Sequence, residues 1–401
     1  MIVLNILFIT LSSMECVNER GIYTDLVREL ARRGINMYVV FPREKRTKLP
    51  TEMSIQENIK LLKVKTGNIT GTNYIEKGIT TLRIDNQFLK AIKMYYSEVK
   101  FDLIMYSTPP ITLEKIVKHF KKKHNSKTYL VLKDIFPQNA VDINVIKYGG
   151  LLWKYFRKKE KNLYEISDVI GCMSVGNVNY ILNNNPFINK NKVEVFPNSI
   201  EPVDFRGKAN KNLLEKYRIP KERTIFVYGG NLGKPQGIDF LIKVASYFHL
   251  VDNGHLFIVG SGTEYETIRK HINTFHPKNV TLINSLPKHE YDELLDIAEV
   301  GLIFLDNRFT IPNFPSRLTA YMEHSLPILA ATDKNTDLKD VLIDSNSGLW
   351  SESGHIDSFI DNAIKLSINK KLRNEMGING RKYLEEHYDI RKTVNTIINH
   401  L

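Results

Sequence analysis

Two short apolar runs, residues 300–305 and 327–331, flank a Pro-punctuated loop and a helix pattern that opens at Pro315 or Ser316. Strands that read as apolar on both faces and are joined by a helix are expected to lie parallel in one sheet, since an antiparallel pair needs only a tight turn. This makes the chain α/β and puts the helix start at the carboxyl end of the sheet, where open α/β folds bind ligands. Ser316 stands at the N-cap position, so its oxygen is expected to hold one orphan amide. The amides of Arg317, Leu318 and Thr319 are then expected to face outward as a seat for an anion, with the planar donor fork of Arg317 beside them. Taken alone, the stretch reads equally well as an ordinary capped α/β connection.

The same alternation runs through the chain. Strands are predicted at 2–10, 36–41, 59–65, 102–107, 127–133, 168–174 and 192–196, and again at 224–228, 255–259, 280–283, 300–305, 327–331 and 347–350. The interval 199–223, with Pro202 and Pro220, reads as a linker carrying a short helix at 209–217. A chain of 401 residues is too long for one ordinary core, so two doubly wound domains are predicted, 1–198 and 199–386. The tail 387–401 has a helical pattern.

The charge balance, 56 basic against 44 acidic residues, leaves +12 and favours anionic partners. Nucleic acid is not expected, because no recognised binding module or aromatic stacking motif appears. Cys16 and Cys172 have no metal-ligand spacing and read as reduced thiols of a cytoplasmic protein. His289-Glu290 lacks the second histidine of a zinc helix, so no metal is expected. The opening MIVLNILFIT has no basic leader and no small-residue cleavage site, and reads as a buried first strand. No apolar run reaches the ~18–20 residues that span a bilayer.

Three loops of the second half each follow a predicted strand and enter a helix: 229–237 (GGNLGKPQG), 260–262 (GSG) and 312–319. Gathered on one sheet edge with Lys234 and Arg317, they suit a diphosphate, and glycine there lets backbone N–H groups approach without a Cβ. The Gly-Lys-Ser/Thr ending of ATPase loops is absent, which disfavours ATP hydrolysis. In the first half, Asp134 follows a strand, and Gly21 opens a helix at a phosphate-approach position. The segment 151–164 interleaves Trp153 and other apolar residues with Arg157, Lys158 and Lys159, a pattern that fits an anionic membrane surface or a domain helix with a solvated basic face.

The series Gly230-Asn231-Leu232-Gly233-Lys234-x-Gln236-Gly237, then Gly260-x-Gly262, then Pro315-Ser316-Arg317-Leu318, resembles the family-4 retaining glycosyltransferases, and in its first loop their surface-polysaccharide subgroup. Asp134-Ile135-Phe136-Pro137 is similar to the family's Asp-x-Trp-Pro. The resemblance implies the GT-B fold, two Rossmann-like domains facing across a cleft, with a C-terminal helix crossing back to the first. It implies transfer of a sugar from a UDP-linked nucleotide sugar, serving as co-substrate with no other cofactor, to a lipid-linked saccharide acceptor at the inner membrane surface. Asp134, Lys234 and Arg317 would be catalytic. Gly21, Gly230, Asn231, Gln236, Gly260, Gly262, Ser316, Leu318 and Thr319 would bind the nucleotide sugar. Trp153, Arg157, Lys158 and Lys159 would face the membrane. Pro312 and Ala320 occupy the places of the family's usual glutamate pair, which keeps an inactive scaffold, and beside it a GT-B sugar-nucleotide epimerase, as alternatives.

Overall fold

A computed structural model describes residues 4–72, 74–204, 215–217 and 222–401. The predicted helix at 209–217 lies largely outside them. The chain divides into two compact units, Met1–Glu201 with Asp389–Leu401, and Pro202–Tyr388.

The first unit is built on eight strands: β1 (Asn5–Ile9), β2 (Asn36–Glu44), β3 (Glu52–Gln56), β4 (Ile59–Thr66), β5 (Leu103–Ser107), β6 (Lys127–Leu132), β7 (Val169–Cys172) and β8 (Val193–Val195). Their order is β3-β4-β2-β1-β5-β6-β7-β8. Every pairing is parallel except β3 with β4, a hairpin whose turn holds Glu57 at φ 55°. Helices cover both faces of the centre, and Ile6, Leu7, Phe8 and Ile9 of β1 are fully buried. That two-sided burial is why β1 reads as an unbroken apolar run rather than an alternating one.

The last helix, Ile390–Ile398, belongs to this unit. Its Ile390, Val394 and Ile397 join Leu26, Val27 and Leu30 of helix Ile22–Arg32 in one core. Asp389 caps it by accepting from the Arg391 amide, and Ile200 pairs with Asp389 as an isolated parallel bridge.

The second unit holds β9 (Thr224–Asn231), β10 (Gly254–Ser261), β11 (Val280–Ile283), β12 (Val300–Phe304), β13 (Ile328–Thr332) and β14 (Gly348–Glu352). All pairings are parallel, in the order β11-β10-β9-β12-β13-β14. This is a doubly wound Rossmann order. The chain leaves β9 toward β10 on one side and resumes at β12 on the other. The topological switch point therefore lies outside the carboxyl ends of β9 and β12. No described helix is long and apolar enough to cross a membrane.

Candidate functional site

The switch point of the second unit gathers the three loops that follow β9, β10 and β12. Arg317, the first residue of helix Arg317–Glu323, reaches back beneath the end of β9. Its guanidinium carbon lies 4.4 Å from the centroid of the Tyr228 ring. The ring is fixed in turn, since the Tyr228 hydroxyl donates to the Asn231 carbonyl at 2.8 Å. Tyr321, one helical turn beyond Arg317, donates to the Leu302 carbonyl at 3.1 Å and accepts from the Gly229 amide at 3.4 Å. Stacking on a fixed aromatic face suits a guanidinium and would not suit an ammonium as well.

The decisive atom is Arg317 Nη1, which is buried and among the described residues has no hydrogen-bond partner. A buried charged donor left unpaired is costly, so its persistence at a ligand-binding edge points to a partner that arrives from outside. Gly230 makes room for this arrangement. It has φ 128°, and a Cβ on it would stand 3.2 Å from Arg317 Nη2.

The structure also changes the expected account of the anion seat. Ser316 makes no side-chain cap, because at φ −65°, ψ −20° it is already helical and its oxygen cannot reach back over the first turn. The Leu318 amide is committed to the Pro315 carbonyl at 3.3 Å, and the Leu318 side chain is buried. Thr319 is buried too, its hydroxyl donating to the Ser316 carbonyl. At the helix after β10 the Glu264 amide donates to Leu232 O and the Tyr265 amide to Gly262 O, and at the helix after β9 the Phe240 amide donates to Gly237 O. Lys234 and Arg317 are the side-chain cations that this edge offers an anion.

Lys234 lies on a single 3-10 turn, Lys234–Gln236, and is exposed. Among the described residues no ion pair holds it. Asn231 and Gln236 are brought together, with Nδ2 of the first donating to Oε1 of the second at 3.1 Å. Gly260 and Gly262 are needed for a reason other than phosphate approach. A Cβ on Gly260 would stand 2.0 Å from Gly230 O, and one on Gly262 2.3 Å from Leu232 O. The loops after β9 and β10 thus touch backbone to backbone. Gly260→Ala should destabilise the protein by about 1–3 kcal/mol through forced backbone shifts, read as a lower urea midpoint with unchanged m-value.

In the first unit Asp134 lies just past β6, and its Oδ1 accepts from Asn139 Nδ2 at 2.5 Å. Burial pushes its carboxyl up to about 6, and the charge of Glu160 adds to the rise against hydrogen bonds from the Ile135 amide and Asn139. Lys133, which sequence reasoning passed over, donates to the Phe196 and Pro197 carbonyls at 3.3 Å each, and burial brings its ammonium down to about 7. The only sequence signal for it was a charged residue ending an apolar run.

Gly21 is the N-cap of Ile22–Arg32 with φ 171°, an extended conformation open to any residue, and a Cβ there would stand 3.2 Å from Thr24 Oγ1. Its amide is already taken by Asp25 Oδ1 at 3.2 Å. On helix Leu151–Ile166, Trp153 is half-buried against Tyr148, with ring centroids 4.7 Å apart. Arg157, expected to face a membrane, instead pairs with Glu160 and binds Asn185 Oδ1 at 2.6 Å and Asn184 O at 3.1 Å. It closes the end of helix Val175–Asn184. Lys158 is exposed, and Lys159 is half-buried with its Nζ 3.4 Å from Glu114.

Residues 210–383 match the family described as glycosyl transferases group 1. The match falls within the second unit. The chain is 24% identical over 284 residues to the probable glycosyltransferase WbjE of Pseudomonas aeruginosa, a match covering 67% of this chain and 66%, just under two thirds, of that relative. Among solved structures it is similar to sucrose-phosphate synthase of Thermosynechococcus elongatus, with TM-score 0.76 and 15% identity over 99% of this chain and 98% of the other. It is also similar to the E. coli trehalose-6-phosphate structure bound with UDP-2-fluoro glucose, with TM-score 0.74 and 11% identity over 98% of each chain. Likeness at such identities speaks for the fold, which is that of GT-B glycosyltransferases.

Proposed function

We propose that the chain moves a hexosyl or N-acetylhexosaminyl group from a UDP-linked sugar to a lipid-linked saccharide, with retention at the anomeric carbon, in cell-surface polysaccharide assembly on the cytoplasmic side of the membrane. The observation that carries the reading is Arg317 Nη1, without a hydrogen-bond partner among the described residues, at the switch point of a Rossmann sheet. The Asn231–Gly237 loop, in its surface-polysaccharide form, supports the finer assignment.

In the reaction the bond from the anomeric carbon to the β-phosphate oxygen breaks and a bond to the acceptor oxygen forms. Negative charge grows on the leaving diphosphate, so positive groups placed there in advance lower the barrier. Arg317 supplies a stacked, fixed donor pair, and Lys234 a mobile ammonium. The acceptor proton passes to the departing phosphate, and Asp134 orients a hydroxyl of the sugar or the acceptor.

The test is incubation with a panel of nucleotide sugars, with and without a lipid-linked acceptor, followed by assay of released nucleoside diphosphate. Acceptor-dependent release from a UDP-sugar is expected. Interconversion of the donor sugar without release would make the protein an epimerase. Absence of both binding and turnover would leave a scaffold, the reading that Pro312 and Ala320 in place of the usual glutamates favour.

A further inference from the structure

Helices Tyr74–Tyr95, Glu114–His124 and Leu151–Ile166 of the first unit enclose a concavity of about 560 Å³. The middle helix lines it with Lys115, Lys118 and Lys122, which fall at i, i+3 and i+7 and so form one stripe. Lys159 enters from the third helix. Two carboxylates share the concavity, and both are already committed. Asp85 accepts from the amides of Lys115 and Ile116, each at 3.0 Å. Burial works to raise the Glu114 carboxyl, but hydrogen bonds from Asn162 and Lys118 and the charge of Lys159 hold it down at about 2. Lys118 pairs with Glu114, which also lies 3.4 Å from Lys159 Nζ, and Lys115 Nζ donates to Asn86 Oδ1 at 2.5 Å, so four lysines meet two carboxylates and the hollow keeps a positive balance. His119 adds little charge, since burial and the nearby Lys93 and Lys123 lower its pKa.

The rim has the opposite character. Tyr155 and Leu82, which line the hollow, are 43% and 48% exposed, and one helical turn before Tyr155 Leu151 is 87% and Leu152 63% exposed. Leu151, Tyr155 and Lys159 lie four residues apart, so one face of the helix runs from apolar to basic. Exposed leucines beside a lysine-lined hollow match the two layers of a bilayer interface, hydrocarbon and phosphate.

The geometry points to a docking surface for an anionic phospholipid bilayer, with headgroup phosphates in the Lys115–Lys118–Lys122–Lys159 hollow and Leu151, Leu152 and Tyr155 in the interfacial hydrocarbon. This deepens the reading of a lipid-linked acceptor given above by naming the surface that brings the enzyme to it. It shifts the contact away from Trp153, half-buried against Tyr148, and Arg157, whose guanidinium is spent on the end of helix Val175–Asn184, to the outer edge of the same helix.

The test is sedimentation of the full chain with vesicles of phosphatidylcholine alone or with about one third phosphatidylglycerol, at low and high salt. Binding to the anionic vesicles is expected, weakened by salt. Each lysine near the surface contributes about fivefold in partition, so Lys118→Ala/Lys122→Ala/Lys159→Ala should lose roughly a hundredfold. Leu151→Ser/Leu152→Ser should also lose binding while keeping the salt dependence. Equal pelleting with both vesicle types, no pelleting with either, or a triple variant that binds anionic vesicles as well as the parent would each overturn the inference. Inorganic pyrophosphate that displaces the protein from vesicles at micromolar concentration would overturn it too, by showing a soluble phosphate ligand instead. UDP binding of the variants, measured without vesicles, keeps this outcome separate from the donor reading.

Discussion

Replacing Arg317 with alanine should weaken UDP binding by about 1–3 kcal/mol, roughly 5- to 150-fold in Kd. The guanidinium is held over Tyr228, and its Nη1 is buried with no hydrogen-bond partner among the described residues, so that one donor is left for an anion. Because the diphosphate gains charge between the bound donor and the transition state, the loss in kcat/KM should exceed the loss in affinity for the intact UDP-sugar. Arg317→Lys should recover only part of either. It restores the charge but neither the planar fork nor the stacking on Tyr228. Titration calorimetry with UDP on folded variants checks this. An Arg317→Ala protein that binds UDP as tightly as the parent would remove the phosphate role altogether.

The sequence made the second sheet legible because its strands are buried on both faces, which writes them as short apolar runs between glycine and proline loops. The first sheet was legible for the same reason except at its edge. β3, Glu52–Gln56, has only Met53 and Ile55 as apolar residues, and Ile55 is 59% exposed, so nothing in its pattern asks for burial. Helix Tyr74–Tyr95 was missed because exposed Ile79 and Leu82 blur the stripe made by buried Ile84, Phe88 and Ile92. At the site, the convergence of three loops followed from strand order alone. The fate of individual donors did not. Whether Ser316 caps depends on one backbone angle, and whether Arg317 is paired depends on Tyr228, Tyr291 and Tyr321, which a one-dimensional reading cannot bring together. Tyr291 lies so close to Gly229 that a Cβ there would meet its hydroxyl at 2.0 Å, and burial raises that phenol well above its ordinary pKa.

Asp134→Asn should lower kcat/KM by roughly 10- to 150-fold, the worth of a hydrogen bond to a charged group, and should erase an acid limb in the pH profile. With its carboxyl at about 6, Asp134 is mostly ionised at pH 7 and mostly protonated at pH 5. If its charge orients a reacting hydroxyl, the parent enzyme loses about tenfold in rate across that interval, whereas the asparagine variant is flat there. Lys133, at about 7, would impose its own step higher in the profile, and Lys133→Met should abolish that step while leaving the acid limb in place. Stability separates this role from a purely structural one. A carboxyl whose folded pKa is raised binds more protons in the folded state than in the unfolded state between about pH 4 and pH 6, so stability falls as pH rises through that window. The isosteric amide keeps an oxygen for Asn139 and carries no buried charge, so Asp134→Asn should be no less stable than the parent at pH 7. A variant that loses activity and melts earlier in equal measure would reduce Asp134 to a packing residue. A variant of undiminished stability with a flattened pH profile would establish it as the group that sets the reacting hydroxyl in place.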